Sequence, residues 1–260
     1  MRIVVLSGGV GGSRFIRGLL AATAPDDDIT VVANTADDLW LFGLRVCPDL
    51  DTVMYTLGDG IDSGRGWGRT QETWNAKEEL AAYGAPQAWF GLGDRDLATH
   101  LLRSMRLREG RTLSEATDEL VGRWSPGTDL GRVRVLPMSD DKVATRVCTP
   151  LGWLDFQDYF VRHRAAPLVE AIEYVGAATA RPAPAVLAAL ESPTLEAIIV
   201  CPSNPILSLD PIFAVPGLRE AVRNAAVPVV GVSPRIGGKA VKGPTVEVLR
   251  GLGFEPTTAA

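Results

Sequence analysis

The order of elements in the first thirty-three residues constrains the fold most. The β-branched run 3–6 leads into Ser7-Gly8-Gly9-Val10-Gly11-Gly12-Ser13. Residues 14–22 then read as a helix, Asp26-Asp27-Asp28 as a polar turn and 29–33 as a second apolar strand. Two parallel neighbours need a crossover, so strand, glycine-rich turn, helix and strand open a parallel, doubly wound sheet. The same alternation returns in the tail. Residues 197–200 form a strand ending at Cys201-Pro202-Ser203-Asn204-Pro205, and 212–225 are helical beyond Pro216. Residues 227–232 form a strand ending at Ser233-Pro234-Arg235-Ile236-Gly237-Gly238-Lys239, and 245–252 a last helix.

The middle reads as helical. One helix is expected over 70–82. Another runs from Asp94 to Arg108, with Leu97, Leu101, Leu102 and Met105 as its apolar stripe. Thr112-Leu113-Ser114-Glu115 fits a capping box, with Ala116, Leu120, Val121 and Trp124 following on one face. Strands are expected over 133–136, 143–149 and 153–156, with the turn Pro150-Leu151-Gly152 joining the last two into an antiparallel hairpin. The expectation is therefore an α/β chain: a doubly wound, Rossmann-like parallel sheet with a smaller inserted α/β subdomain that contains a β-hairpin. Residues 1–138 and 181–260 would form the nucleotide-binding core and 139–180 the insertion.

Composition narrows the class. The chain has 260 residues, 46% of them apolar and 22% charged, which suffices for a packed core without staples. Cys47, Cys148 and Cys201 are odd in number and widely spaced, and His100 and His163 are the two histidines. No zinc spacing results, and a reducing, cytoplasmic compartment is expected. A net charge of −5 without a basic block argues against nucleic acid as a partner. The apolar run after Met1 is too short for a signal peptide, and no run has the ~18 residues of a membrane span.

Ligands of open α/β sheets bind beyond the carboxyl ends of the strands. In Gly8-Gly9-Val10-Gly11-Gly12 the missing Cβ atoms let a phosphate approach backbone N–H groups, and the helix N-terminus adds partial positive charge. The motif is neither the dinucleotide fingerprint, which needs glycine where Arg14 stands, nor a P-loop, since Gly-Lys-Ser/Thr is absent. The plain alternative is a tight turn that permits close packing.

Asn34-Thr35-Ala36-Asp37-Asp38 and Pro48-Asp49-Leu50-Asp51-Thr52 supply four carboxylates. At i and i+2 of an extended segment, Asp49 and Asp51 would point to one side. With Asp37 and Asp38 they could hold Mg²⁺, and caps or turns are the competing reading. Gly58-Asp59-Gly60-Ile61-Asp62-Ser63-Gly64-Arg65-Gly66 with Trp67-Gly68 reads as a surface loop or as the cover of a flat ring. Gly91-Leu92-Gly93-Asp94-Arg95-Asp96 is an N-cap, or places Arg95 on an anion. Met138-Ser139-Asp140-Asp141-Lys142 and Cys201-Pro202-Ser203-Asn204-Pro205 both follow expected strands, and Ser203 and Asn204 suit phosphate or ribose, or turn capping. Arg235, Lys239 and Lys242 face phosphate or solvent, and His163, within Arg162-His163-Arg164, reads equally as a low-pKa or merely exposed imidazole and as a catalytic one. No Ser/His/Asp triad is present, because Gly-x-Ser-x-Gly is missing.

Six motifs in order then carry a resemblance. They are Leu6-Ser7-Gly8-Gly9-Val10-Gly11-Gly12, Asn34-Thr35-Ala36-Asp37-Asp38-Leu39-Trp40, Pro48-Asp49-Leu50-Asp51-Thr52-Val53, Gly91-Leu92-Gly93-Asp94-Arg95-Asp96-Leu97-Ala98-Thr99-His100, Pro137-Met138-Ser139-Asp140-Asp141 and Pro202-Ser203-Asn204-Pro205. The chain resembles the 2-phospho-L-lactate transferase family of coenzyme F-420 biosynthesis. The stretch from Gly66-Trp67-Gly68 to Trp74-Asn75-Ala76-Lys77-Glu78-Glu79-Leu80 looks most like the actinobacterial, phosphoenolpyruvate-transferring branch.

The resemblance implies a Mg²⁺-dependent transferase. The terminal ribityl hydroxyl of the deazaflavin Fo would attack a guanosine diphosphate-linked three-carbon acid (lactate or enolpyruvate), and GMP would leave. By this resemblance Asp51 and Arg95 are the catalytic candidates. Gly8, Gly9, Gly11, Gly12, Asn34, Thr52, Asp94, Met138, Ser139, Asp140, Ser203 and Asn204 are the substrate-binding candidates. Asp37, Asp38, Asp49 and Asp51 are the metal candidates. A cytoplasmic homodimer that binds neither nucleic acid nor membrane is implied, and against the family the chain reads as short at Thr257-Thr258-Ala259-Ala260. Two rival functions stand beside it: a nucleotide-sugar-binding regulator of the related glycine-rich-loop group, and an NAD(P)-dependent oxidoreductase.

Overall fold

The computed structural model describes residues 1–237, 239–241, 243–255 and 257. Gly238, Lys242 and the stretch Thr258-Ala259-Ala260 lie outside the described residues. In chain order the first elements are β1 (Arg2–Ser7), α1 (Val10–Ala22), β2 (Asp28–Ala33), β3 (Leu39–Leu41), β4 (Leu44–Val46), α2 (Pro48–Leu57), α3 (Asn75–Ala82), α4 (Asp94–Arg108) and α5 (Leu113–Trp124). There follow β5 (Val133–Pro137), β6 (Ala144–Thr149), β7 (Gly152–Asp155), β8 (Ala171–Val175), α6 (Pro184–Leu190), β9 (Ala197–Val200), α7 (Asp210–Ala214), α8 (Leu218–Asn224), β10 (Val229–Gly231) and α9 (Thr245–Gly251).

Five strands form one parallel sheet in the order β10-β9-β1-β2-β5. The chain winds outward from β1 through β2 to β5, then returns to the other side of β1 for β9 and β10. The order reverses between β1 and β9, which makes the loops after these two strands the crevice of a doubly wound sheet.

Around β1, β2 and β9 both faces of the sheet are covered, so these strands read as near-continuous apolar runs, while Val229 and Val230 of the edge strand β10 are exposed. Successive strand residues point to opposite faces. Ile3, Val5, Ile29 and Val31 pack with Ile16 and Leu20 of α1, Leu50 and Val53 of α2 and Leu120 of α5. Val4, Leu6 and Val32 pack on the other side with Val186 of α6, Ile212 of α7 and Leu218 of α8. Each of these side chains contributes about 1.5–3 kcal/mol by burial.

Strands β7, β6 and β8 form a separate antiparallel sheet in that order, with β6 and β7 as its hairpin. It braces two loops of the crevice. Thr145 N–H donates to Ala36 O at 2.8 Å. Gln157 Nε2 donates to Asp37 O at 2.8 Å, and Tyr174 hydroxyl to Ile206 O at 2.6 Å.

Several expected elements shift. α1 begins at Val10, inside the glycine-rich turn, because the glycines themselves form its first turn. The helix expected over 70–82 starts only at Asn75, where Asp94 caps it. Val215 to Gly217 separate α7 from α8, with Pro216 between them. The Thr112–Glu115 capping box forms as expected. Among the described residues no helix is long and apolar enough to cross a membrane.

Candidate active site

Loop 8–12 and loop 201–205 meet at the switch point. Gly8 N–H donates to Ser203 Oγ at 3.0 Å. A Cβ on Gly11 would lie 2.7 Å from the carbonyl oxygen of Pro202, and one on Gly9 would strike the Asp49 carboxylate. The glycines are therefore required by the approach of the chain to itself. The close-packing reading of this turn holds whatever ligand it takes. The Gly9 N–H is taken by Asp49, but no side chain caps α1, and Gly11 in its first turn is exposed. An uncapped N-terminus of this kind is suited to an anion.

Beneath this turn lies the acidic corner. Asn34 is buried, donates to Asp49 Oδ2 at 3.1 Å and accepts from Ala36 N–H at 2.9 Å. Asp37 and Asp49 are buried, and among the described residues neither has a salt-bridge partner. Burial, then the neighbouring Asp49 charge, pushes the Asp37 carboxyl well above the usual range. Burial pushes Asp49 up to about 7, against the hydrogen bonds from Asn34 and Gly9. Asp37 Oδ1 is buried without a partner.

The four-aspartate cage needs correction. Residues 48–57 are helical, not extended. At about 100° per residue, positions i and i+2 diverge by roughly 200°. Asp49 consequently faces Gly9 and Asn34, whereas Asp51 faces α4. Both Asp51 oxygens accept from Arg103, Oδ2 at 3.2 Å from Nη1 and Oδ1 from Nη2. Asp38 is paired with Arg45 Nη2 at 2.9 Å, although burial still pushes its carboxyl up to about 6. Among the described residues no three His, Cys, Asp or Glu side chains gather closely enough to cage a metal. Asp37 and Asp49 nevertheless fit a divalent cation that takes its other ligands from phosphate and water. They form a buried acidic pair with an orphaned oxygen and, among the described residues, no neutralising base.

Several sequence candidates are held in structural contacts. Asp94 accepts from Thr73 Oγ1 at 2.7 Å, Asn75 N–H at 3.0 Å and Ala76 N–H at 2.9 Å. The Ala76 hydrogen bond, Thr73 and Asn75 hold its carboxyl at about 2. Met138 is core. Ser139 Oγ donates to Arg181 O at 2.6 Å, and Asp140 accepts from Ser114 N–H at 2.7 Å in the first turn of α5. Asn204 Oδ1 caps the turn after it, accepting from Ile206 and Leu207 N–H at 3.0 Å and 2.9 Å. Thr52 is buried on α2.

Arg95 is exposed, and its backbone N–H and carbonyl engage Glu72 and Arg69. Arg235 donates to Thr257 O at 2.8 Å. The Trp67 loop folds over the 91–93 motif: Trp67 lies against Gly91, and Arg65 sits 5.3 Å and 5.0 Å from the Trp67 and Trp74 rings.

Sequence reading missed the polar face of α4. Thr99, His100, Arg103 and Ser104 are its buried residues, while Leu101 and Met105 of the expected apolar stripe are exposed. Tyr55 hydroxyl bonds Asp96 Oδ1 at 2.6 Å and Thr99 Oγ1 at 2.8 Å. The i, i+3, i+4 spacing of Asp96, Thr99, His100 and Arg103 was the available signal.

A family model described as 2-phospho-L-lactate transferase CofD matches residues 3–256. The chain belongs to this transferase family. A phosphoenolpyruvate transferase from Streptomyces griseus is 55% identical over 264 residues, covering 100% of this chain and 80% of that protein. The phosphoenolpyruvate transferase of Mycolicibacterium smegmatis is 46% identical, with 100% of this chain and 82% of that protein covered. A crystal structure of a UPF0052 family member from Bacillus halodurans superimposes with a TM-score of 0.60 at 18% identity, covering 87% of this chain and 67% of that one. That likeness shows a shared fold. Membership makes the chain an enzyme, a transferase of coenzyme F-420 biosynthesis.

Proposed function

We propose that this enzyme transfers a phosphorylated three-carbon acid from a guanosine diphosphate-linked donor to the terminal ribityl hydroxyl of Fo, with Mg²⁺ as cofactor. The names of its relatives favour enolpyruvate as the acid. The hydroxyl oxygen forms a bond to the phosphorus that bears the acid, the bond from that phosphorus to the GMP oxygen breaks, and the hydroxyl proton passes to solvent or base. The observation that carries this reading is the acidic corner, Asp37 and Asp49, directly beneath an uncapped helix N-terminus at the switch point.

The N–H groups at the start of α1 receive diphosphate oxygens, and Ser203 keeps loop 8–12 in register for them. Asp37 and Asp49 would hold Mg²⁺, which neutralises charge on the diphosphate and on the departing nucleotide. Asp51 retains unused lone pairs on oxygens fixed by Arg103. It acts as the hydrogen-bond acceptor that orients the attacking hydroxyl. Arg95, exposed at the start of α4, is free to meet the acid or the deazaflavin.

The test is incubation with Fo, Mg²⁺ and each guanosine donor, followed by mass spectrometry. Formation of the Fo phosphodiester with GMP supports the reading. Binding of Fo without GMP release favours the regulator, and tight NADH binding without Fo binding favours the oxidoreductase. A homodimer belongs to the same proposal and is read by sedimentation.

A further inference from the structure

Helix α4 turns its polar residues inward. Arg103 is 1% exposed, while Leu101 and Met105 on the same helix are 53% and 44% exposed. Leu97, Leu102 and Leu107 pack against the core only partly buried, and the fully buried positions of the helix are polar, where a helix selected only for packing would bury apolar residues. Replacing a buried ion pair with apolar side chains of similar volume is often neutral or stabilising, so stability alone does not explain this arrangement.

What the buried face holds is specific. Arg103 Nη1 and Nη2 take both oxygens of Asp51, and Nη1 also reaches Arg45 O at 3.4 Å and His100 Nδ1 at 3.2 Å. Because a guanidinium only donates, His100 Nδ1 is the acceptor, and its Nε2 faces Asp96 Oδ2 at 3.4 Å. Asp96 is held in turn by Tyr55. Ser104 Oγ accepts from Arg45 N–H at 2.7 Å, and Arg45 holds Asp38. One face of α4 thus fixes Asp51 on α2 and, through Arg45, the loop that carries Asp37.

We propose that Arg103, seated by His100 and Asp96, is a positioning residue for the transfer. It sets the rotamer of Asp51 and acts on the acceptor hydroxyl only through that carboxylate. This inference rests on the reading of Asp51 given above. Its physical basis is geometric: a guanidinium fork fixes two carboxylate oxygens in one plane, which a lysine ammonium cannot do.

The test is a set of variants assayed with Fo, Mg²⁺ and the guanosine donor. Arg103→Lys is expected to lower kcat about tenfold or more while the donor KM stays within about twofold, since the donor is bound elsewhere. Arg103→Met combined with Asp51→Asn is expected to lose no more turnover than Asp51→Asn alone, because both changes act through one carboxylate. His100→Asn leaves the ion pair in place and keeps an acceptor near Arg103, so it serves if the Arg103 variants do not fold. Its kcat is expected to fall with the donor KM unchanged.

Losses that multiply in the double variant, or a folded Arg103→Lys with unchanged kcat, overturn the proposal. If only His100→Asn folds, unchanged kcat in that variant overturns it. Full turnover by Asp51→Asn alone would instead overturn the role of Asp51, and the inference with it. Loss in Asp51→Asn without loss in Arg103→Lys sinks this inference only.

Discussion

Asp37 and Asp49 share a buried corner in which a proton or a cation has to do the neutralising. Asp49 has its carboxyl raised to about 7, from an ordinary value near 3.8. A raised carboxyl binds more protons in the folded than in the unfolded chain. Its stabilising effect is therefore complete below the unfolded value and is lost as pH rises toward 7. In the absence of divalent ions, stability should decline across that window. Mg²⁺ should raise the melting midpoint clearly at about pH 8 and little at about pH 5, where protons compete. Asp49→Asn should remove the Mg²⁺ effect and lessen the pH dependence, part of which the raised Asp37 carboxyl retains, and melting curves at the two pH values with Mg²⁺ or EDTA decide it. An equal Mg²⁺ effect at both values would refute the site. Glycines provide a second contrast at this scale. Gly11→Ala drives a methyl toward the Pro202 carbonyl and should destabilise the fold, whereas Gly18 has nothing within 4 Å of its would-be Cβ. Gly18→Ala should stabilise α1 by about 0.5–1 kcal/mol, measured by urea unfolding.

Among the elements, α3 depends most on a single residue. None of its side chains is buried, and its first N–H groups are capped by Asp94 from α4. Asp94→Ala should abolish amide-exchange protection in residues 75–82 and leave that of α5, which carries its own capping box, unchanged. Unaltered protection in α3 would show that packing against α4 holds it instead. The elements also show how far the sequence was legible. Parallel strands between two covered faces are apolar along their whole length, so β1, β2 and β9 announce themselves. α2 does not: Pro48-Asp49-Leu50-Asp51 alternates polar and apolar residues as a strand would, and only the helical turn reveals that Asp49 and Asp51 part company. For α4, hydrophobic periodicity is half right: Leu97 and Leu102 pack against the core, but Leu101 and Met105 are exposed and the fully buried positions are polar. In both places a local rule yields to the site, where the charges are needed inside. Glycines 8–12 were legible as a special turn, but their contacts with Asp49 and Pro202 come from long-range packing that no local pattern encodes.

For the molecule as a whole, the crevice between β1 and β9 joins segments from both ends of the chain. Loop 8–12 follows the first strand, loop 201–205 follows β9, and the antiparallel sheet of β6, β7 and β8 braces the loops that carry Asp37 and Ile206. A ligand seated there ties the two halves of the parallel sheet together, so its binding energy should appear in global unfolding and not only in local order. At a concentration of 100 Kd, a ligand specific for the folded state adds about 2.7 kcal/mol. For a chain of this length each kcal/mol is worth roughly 2–4 °C in the melting midpoint, so a rise of about 5 °C or more is expected. GMP or GDP with Mg²⁺ should produce it as one cooperative shift, and EDTA should reduce it, because Asp37 and Asp49 repel an unaccompanied diphosphate. NADH should produce none: Arg14 stands where the dinucleotide fingerprint needs its third glycine, and the helix begins inside the turn. A scanning-calorimetry series with GDP, GMP and NADH, each with and without Mg²⁺, reads all of these outcomes. A shift with NADH, or a GDP shift indifferent to Mg²⁺, would remove the acidic corner from the nucleotide site.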